Sequence, residues 1–286
     1  MLLLLLLPAL ILANPIERPE YEDYSDSLAR NNFWAMCNMF GASDIQGCFN
    51  KYFNNSVTLR RKVSVKCDLI PTDSCVGYSA VDTNNRAIIL VFRGTVGGLQ
   101  LIYESIETAY DANVPWIGGG NVSKYFRDAF VDIWNGGMKD DFTYLKQRYP
   151  SYKLWVIGHS LGGAMASLCS SYIVANGLFA SVDMMSYTFG QPRVGDANYA
   201  NWHDTIVKTA YRVTHYKDPV PHLPLLNMEG YRHHKAEVYY LEDMSAGQTY
   251  TVCDDVQESK LCSDKNAIDA NLNDHGSYFN YVPNCP

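Results

Sequence analysis

The residues best suited to chemistry are Gly158-His159-Ser160-Leu161-Gly162. They lie between an apolar run at 153–157 that reads as a β-strand and a small-residue run (Gly163, Ala164, Ala166, Ser167) that reads as a helix. A chain turning from strand to helix this sharply brings the positions two before and two after the serine against neighbouring backbone, where glycine is wanted. Ser160 is then held in a strained conformation with its hydroxyl above the sheet edge. The Leu161 N–H, at the helix start, points at a charge developing on an attacked carbonyl. The chemistry implied is nucleophilic acyl transfer.

A serine nucleophile needs a base, and the base needs an orienting acid. After a strand-turn-helix serine these follow in the order acid, then histidine. Two loops offer the acid. Asp196 directly precedes a helical pattern, which suits an N-cap. Asp218 is followed by Pro219-Val220-Pro221, a stiff loop suited to presenting a carboxylate at a strand's C-terminal end, so Asp218 is the expected acid. Of the seven histidines, four follow it. His222 shares the acid's loop and reads as a structural partner of nearby backbone, and His233 and His234 read as ordinary surface residues. His275, in Asn273-Asp274-His275-Gly276, lies on a late loop able to reach back over the serine, and is the expected base. A second oxyanion donor should follow an early buried strand. Phe92-Arg93-Gly94-Thr95 occupies that place, with Thr95 offering a backbone N–H and a hydroxyl.

These groups require a scaffold, and the periodicities supply one. Residues 25–40 read as a helix, 61–66 and 74–81 as strands, and 87–92 as a buried strand entered by a turn at 83–86. Helices are expected at 99–110, 122–134 and 139–148, the last two separated by Gly136-Gly137. In 99–110 the apolar Leu99, Ile102, Tyr103 and Ile106 recur at helical spacing. Beyond Pro150 the pattern is strand 153–157, helix 161–175, strand 184–189, helix 197–207, strand 211–216, with a further strand at 236–241. Such alternation predicts an α/β fold: a largely parallel central sheet with helices on both faces.

Five segments together resemble the class 3, fungal-type secreted lipases: Val91-Phe92-Arg93-Gly94-Thr95, Gly158 to Gly163, Phe189-Gly190-Gln191-Pro192-Arg193-Val194-Gly195, Asp218 to Pro224, and Asp274-His275. They occur in that family's order and span residues from about 60 to the C terminus. The resemblance implies an α/β-hydrolase with Ser160 as nucleophile, Asp218 as acid, His275 as base, and Thr95 and Leu161 as the oxyanion hole, using no cofactor and no metal. It implies structural roles for Gln191, Pro192 and Arg193, and a helical lid after Thr95. That places the lid candidate on Leu99, Ile102, Tyr103 and Ile106, between Gly97-Gly98 and the loose Gly118-Gly119-Gly120. The chain departs from the family at Gly276, where fungal relatives carry a bulkier apolar residue, and in lacking their lid tryptophan. The expected substrate is a lipid ester at an oil–water or membrane interface, most simply a triacylglycerol. A phospholipase A1 or a feruloyl-type esterase would use the same triad, and a silent lipid-binding protein would more often show a broken one.

Composition fits this reading. The chain has 286 residues, 47% hydrophobic and 19% charged, which is globular rather than disordered. A net charge of -7 with no basic block argues against nucleic acid as a partner. Residues 1–13 read as a signal peptide, too short for the roughly 20 apolar residues of a membrane span. Residues 14–286 read as one domain, secreted, with no transmembrane span. Asn54 and Asn121 begin N-x-Ser sequons that could carry glycans. The eight cysteines suit an oxidising compartment. Cys67/Cys75 and Cys253/Cys262 are close enough in sequence to staple local loops. Cys285 wants a distant partner, Cys48 or Cys37, with Cys48 preferred. Cys169 reads as a buried thiol, and Cys37 as the other unpaired one.

Overall fold

The computed structural model describes residues 22–67, 74–94, 109–110, 112–226, 228–241, 243–266, 270–283 and 285. Thr95 and the lid candidates Leu99, Ile102, Tyr103 and Ile106 lie outside these residues, as does the expected signal peptide.

Twelve strands are described: β1 (Val57–Lys66), β2 (Ser74–Asp82), β3 (Ala87–Phe92), β4 (Asn113–Pro115), β5 (Asn121–Ser123), β6 (Lys153–His159), β7 (Met184–Phe189), β8 (Gly195–Asp196), β9 (Ala210–His215), β10 (Tyr231–Arg232), β11 (Glu237–Tyr240) and β12 (Tyr250–Cys253). Eight form the main sheet in the order β1-β2-β3-β6-β7-β9-β11-β12. β3, β6, β7, β9 and β11 run parallel, while β1, β2 and β12 pair antiparallel at the two edges. β4, β5, β8 and β10 make a small second sheet.

The central strands are buried along nearly their whole length because both faces of the sheet are covered. Alternate side chains of β3 and β6 serve opposite faces. Ile88, Leu90, Leu154 and Val156 join one core, under helices α1 (Lys124–Ile133), α2 (Lys139–Arg148) and α3 (Leu161–Ala175). Ala87, Ile89, Val91, Trp155 and Ile157 join the other, under the N-terminal helical segment.

Several boundaries differ from the periodicity. β1 starts at Val57, not 61. The helix expected from 122 starts at Lys124, because Asn121–Ser123 pairs with Asn113–Pro115 and Ser123 then caps the helix, its side chain accepting from the Phe126 N–H. At Gly136-Gly137 the helices are joined through a wide turn, Trp134–Met138, with Gly137 at φ 135. Residues 25–40 do not wind as one regular helix. Ala29–Phe33 is a π-turn that sets Phe33 against Trp155 and Tyr187, ring centroids 4.8 and 4.7 Å apart, and Trp34 against Phe189 and Tyr278.

Disulfides Cys67–Cys75, Cys253–Cys262 and Cys48–Cys285 are present, the last tying the helix Ile45–Tyr52 to the C terminus. Cys37 and the buried Cys169 are unpaired. Among the described residues no helix is long and apolar enough to cross a membrane.

Phe33 is fully buried, and truncating it leaves a cavity between the N-terminal segment and the sheet. Phe33→Ala should cost about 3–5 kcal/mol in urea unfolding with an unchanged m-value, the usual range for a buried aromatic.

Candidate active site

β6 ends at His159 and helix α3 begins at Leu161, so a single residue, Ser160, makes the turn. It sits at φ 57, ψ -131, a region that L side chains avoid. The turn closes only because its flanks lack Cβ atoms. One added at Gly158 would lie 2.1 Å from the Gly162 carbonyl oxygen, and one at Gly162 would lie 2.2 Å from that of Phe92. The Ser160 N–H donates to the Phe189 carbonyl at 2.9 Å, locking the elbow to the end of β7. Leu161, as the first residue of α3, has an N–H without an intrahelical acceptor. The end of β3 comes alongside, since a Cβ on Gly94 would be 2.9 Å from the Ser160 Cβ.

Asp218 follows β9 and is buried at 2% exposure, with His275 at 1%. His275 Nδ1 lies 3.0 and 2.9 Å from the two Asp218 carboxylate oxygens. Oδ1 also accepts from the Val220 N–H at 2.9 Å, and Oδ2 from the Tyr278 hydroxyl at 2.7 Å. Burial pushes this carboxyl's pKa up. The His275 charge and hydrogen bond, the Tyr278 hydroxyl and the Val220 N–H outweigh that and hold it below its ordinary value of 3.8. Tyr278 goes the other way, pushed well up by burial and then by the Asp218 charge, so it remains a donor. His159 adds a backbone grip: its Nε2 lies 2.9 Å from the His275 carbonyl oxygen and its ring centroid 4.6 Å from that of His275. Burial first, and then the His275 charge, lowers the His159 pKa to about 3. The ring is therefore neutral and donates Nε2–H to that carbonyl.

Asp218 and His275 are thus in direct contact, and His275 packs against His159, the residue before Ser160. Ser160 Oγ and His275 Nε2 are both buried with no hydrogen-bond partner among the described residues. Such pairs often tighten only when substrate arrives. Asp196 instead caps the helix Ala197–Ile206, its side chain accepting from the Tyr199 N–H.

Other residues depart from the sequence reading. His233 and His234 are not surface residues, each being 3% exposed. His233 Nε2 lies 2.7 Å from the Pro221 carbonyl oxygen, and His234 stacks on His203 at 3.8 Å, because the chain dives beneath the acid's loop before β11. His222 meets a side chain instead of backbone, its Nδ1 lying 3.3 Å from Asp264. His203, Asp204 and His234 are close enough to suggest a metal group. Yet both His234 nitrogens contact protein groups, Lys235 O and Ser167 Oγ, and both Asp204 oxygens accept hydrogen bonds. The Arg212 charge also acts on both imidazoles, so the set suits a cation poorly. Gly190, at φ 53, enters the sequence reading only as part of a motif. A Cβ there would lie 2.8 Å from Asp218 Oδ2 and 2.9 Å from His275 Nδ1, so only glycine lets acid and base meet. Tyr278 has no role in that reading; its place three residues after His275 is the one signal in the sequence.

A strained serine at a strand-to-helix elbow, a buried carboxylate–imidazole pair at the C-terminal edge of the same parallel sheet, and the order of the three along the chain define an α/β-hydrolase of the serine type. A profile for "Lipase (class 3)" matches residues 89–228, a span holding Ser160 and Asp218 and ending before His275. A Caenorhabditis elegans lipase is 32% identical over 291 residues, covering 91% of this chain and 81% of that protein. A Rhizomucor miehei lipase is 36% identical over 201 residues, covering 68% of this chain and 53% of the relative, so the chain matches about half its length. The solved structure of Rhizomucor miehei triacylglyceride lipase aligns with a TM-score of 0.74 at 25% identity, over 91% of this chain and 97% of that one. The chain belongs to the class 3 lipase family.

Two outcomes follow from the acid's surroundings. Tyr278→Phe removes one hydrogen bond to a buried charge and should lower kcat/KM by about tenfold to a hundredfold in steady-state assays, with little change in fold. Because the folded-state pKa of Asp218 is depressed, its stabilising contribution is complete above the ordinary value and lost as pH falls through the folded one. Between about pH 5 and about pH 2, Asp218→Asn should therefore lose less Tm than the wild type does.

Proposed function

We propose that this protein is a lipase cleaving carboxylic esters of glycerol lipids, most simply triacylglycerols, through an acyl-enzyme on Ser160. The observation that carries the reading is the buried Asp218–His275 contact beside a serine held at positive φ. His275 takes the Ser160 proton as Oγ attacks the ester carbonyl. Asp218 holds the imidazole by Nδ1–H and balances its charge while protonated. The oxyanion is met by the Leu161 N–H at the start of α3 and by Thr95 in the loop after β3. His275 then passes the proton to the departing alcohol, and later activates the water that frees the fatty acid. No step calls on a metal or cofactor.

The remaining assignments belong to this proposal. Residues 14–286 act as one secreted domain after loss of a signal peptide at 1–13, a reading supported by three disulfides. Two related fungal proteins are named secreted mono- and diacylglycerol lipases. Asn54 and Asn121 are both exposed, as glycan acceptors must be. The amphipathic stretch carrying Leu99, Ile102, Tyr103 and Ile106 acts as a lid that turns its apolar side toward lipid.

Ser160→Ala should abolish ester hydrolysis with the circular dichroism spectrum unchanged; turnover near wild type would overturn the mechanism. Asp218→Asn should lose about 10⁴-fold in kcat, whereas Asp196→Asn should lower Tm and leave kcat nearly intact. On a panel of emulsified triacylglycerol, phospholipid vesicles and short soluble esters, the acylglycerol should turn over fastest, with a sharp rise once substrate exceeds its solubility. Preference for phospholipid would instead make it a phospholipase A1, and smooth saturation on soluble esters a simple esterase.

A further inference from the structure

The loop between Cys253 and Cys262 is anchored from outside and from within. Gln257 holds it from outside, its Nε2 donating to Asp204 Oδ2 at 2.7 Å and to Asn201 Oδ1 at 3.2 Å. The next residue, Glu258, sits at φ 54 and turns its carboxylate inward, where the side chain is 6% exposed. Oε1 accepts from Arg193 Nε at 2.9 Å and from the His233 N–H at 2.6 Å, while Oε2 accepts from Arg193 Nη2 at 2.7 Å. Two neighbours are thus fixed by one carboxylate.

Both neighbours hold the segment that carries Asp218. Arg193 Nη1 donates to the Pro224 carbonyl at 2.7 Å, and the Arg193 N–H donates to that of Leu223 at 2.8 Å. His233 Nε2 meets the Pro221 carbonyl at 2.7 Å. Two carbonyls within six residues of Asp218, those of Pro224 and Pro221, are therefore set by side chains of the two residues that Glu258 holds, while that of Leu223 accepts from the Arg193 main chain and from the Tyr110 hydroxyl at 3.0 Å. The 2%-exposed Arg193 has a second, more distant anion in Asp264 at 3.7 Å. Removing Glu258 leaves Asp264 as the carboxylate that balances this guanidinium, and a buried charge stripped of its close partner shifts toward the one that remains.

We infer that Glu258, carried on the Cys253–Cys262 loop, is a positioning residue of the hydrolase, setting the pose of Asp218 through Arg193 and His233. The inference rests on the triad reading above. Glu258 touches neither substrate nor the reacting atoms. Its effect reaches chemistry through the Asp218–His275 contact, where a misplacement of about 1 Å costs on the order of a hundredfold in rate.

The test is a double-mutant cycle on a soluble ester. Glu258→Gln keeps the shape but replaces an oxygen acceptor with an amide N–H₂. It should lower kcat by about ten- to a hundredfold with KM nearly unchanged. In an Asp218→Asn background the same change should cost little more, since the group it acts through is already disabled. Equal losses in both backgrounds would overturn the inference while leaving the triad intact. Near wild-type activity in Asp218→Asn alone would overturn the triad reading itself. A second variant separates positioning from stability. Arg193→Met with Glu258→Met replaces the ion pair by apolar bulk, which should recover Tm while kcat stays low. Recovery of kcat together with Tm would mean that the pair only stabilises the fold, and this variant carries the test if Glu258→Gln does not fold.

Discussion

A carboxylate at 2% exposure survives as an anion only if its lone pairs are occupied, and most of the site's structure meets that condition at Asp218. Four donor contacts converge on it, from two positions on the late loop and one in its own turn. The late loop must therefore come back across the end of β9. Once there, it delivers His275 to the elbow and Tyr278 to the aromatic core containing Trp34 and Phe189. The disulfide from Cys48 to Cys285 holds the chain just beyond, so the N-terminal helical segment and the C terminus brace the same wall. A buried charge thus dictates where a distant part of the chain must lie.

The second constraint is geometric. Ser160 stays at positive φ only because the structure around it admits no alternative. On one side the β6–β7 register carries the Ser160 N–H to Phe189, and on the other Gly162 packs on the Phe92 carbonyl at the end of β3. Strain at one residue is offset by ladders on both neighbouring strands. That explains why the elbow lies in the middle of the parallel region instead of at an antiparallel edge. The central place also puts the ends of β3, β6, β7 and β9 side by side, so Gly94, Ser160, Gly190 and Asp218 arrive on one edge.

What is legible in the sequence is what lies close together along it. The elbow needs five consecutive residues, each with a local steric reason, and the buried strands show as apolar runs bounded by turns. Chain order and loop composition make Asp218 rather than Asp196 the expected acid and His275 rather than His222 the expected base, and the structure brings that pair into contact. Features whose cause is remote along the chain are not legible. His233 and His234 carry no local sign of burial; they are covered because the chain beyond β10 runs under the acid's loop. Gly190 looks like any glycine after a strand until Asp218 and His275, 28 and 85 residues later, are seen to meet where its side chain would be. The start of α1 is masked in the same way, because a small second sheet, with pairings as short as Tyr231–Arg232 against Gly195–Asp196, takes the residues before it.

The polar residues around the triad sort by the same logic of charge. Arg193 and Arg212 are two buried cations, and Glu258, Asp264 and Glu237 are the carboxylates near them, with Glu237 3.7 Å from Arg212. A cationic patch left unmatched so near Asp218 would compete with His275 for its carboxylate, since attraction grows as the local dielectric falls. Neutralising the arginines with their own acids keeps Asp218 for the imidazole. His233, His234 and His203 serve this as well: burial first, with the arginine charges adding to it, holds all three below the ordinary histidine range. They therefore pack as neutral polar wedges and add no further charge. The outcome is that the Asp218 carboxylate contacts a single imidazole, that of His275, and its remaining contacts are neutral donors, the Val220 N–H and the Tyr278 hydroxyl.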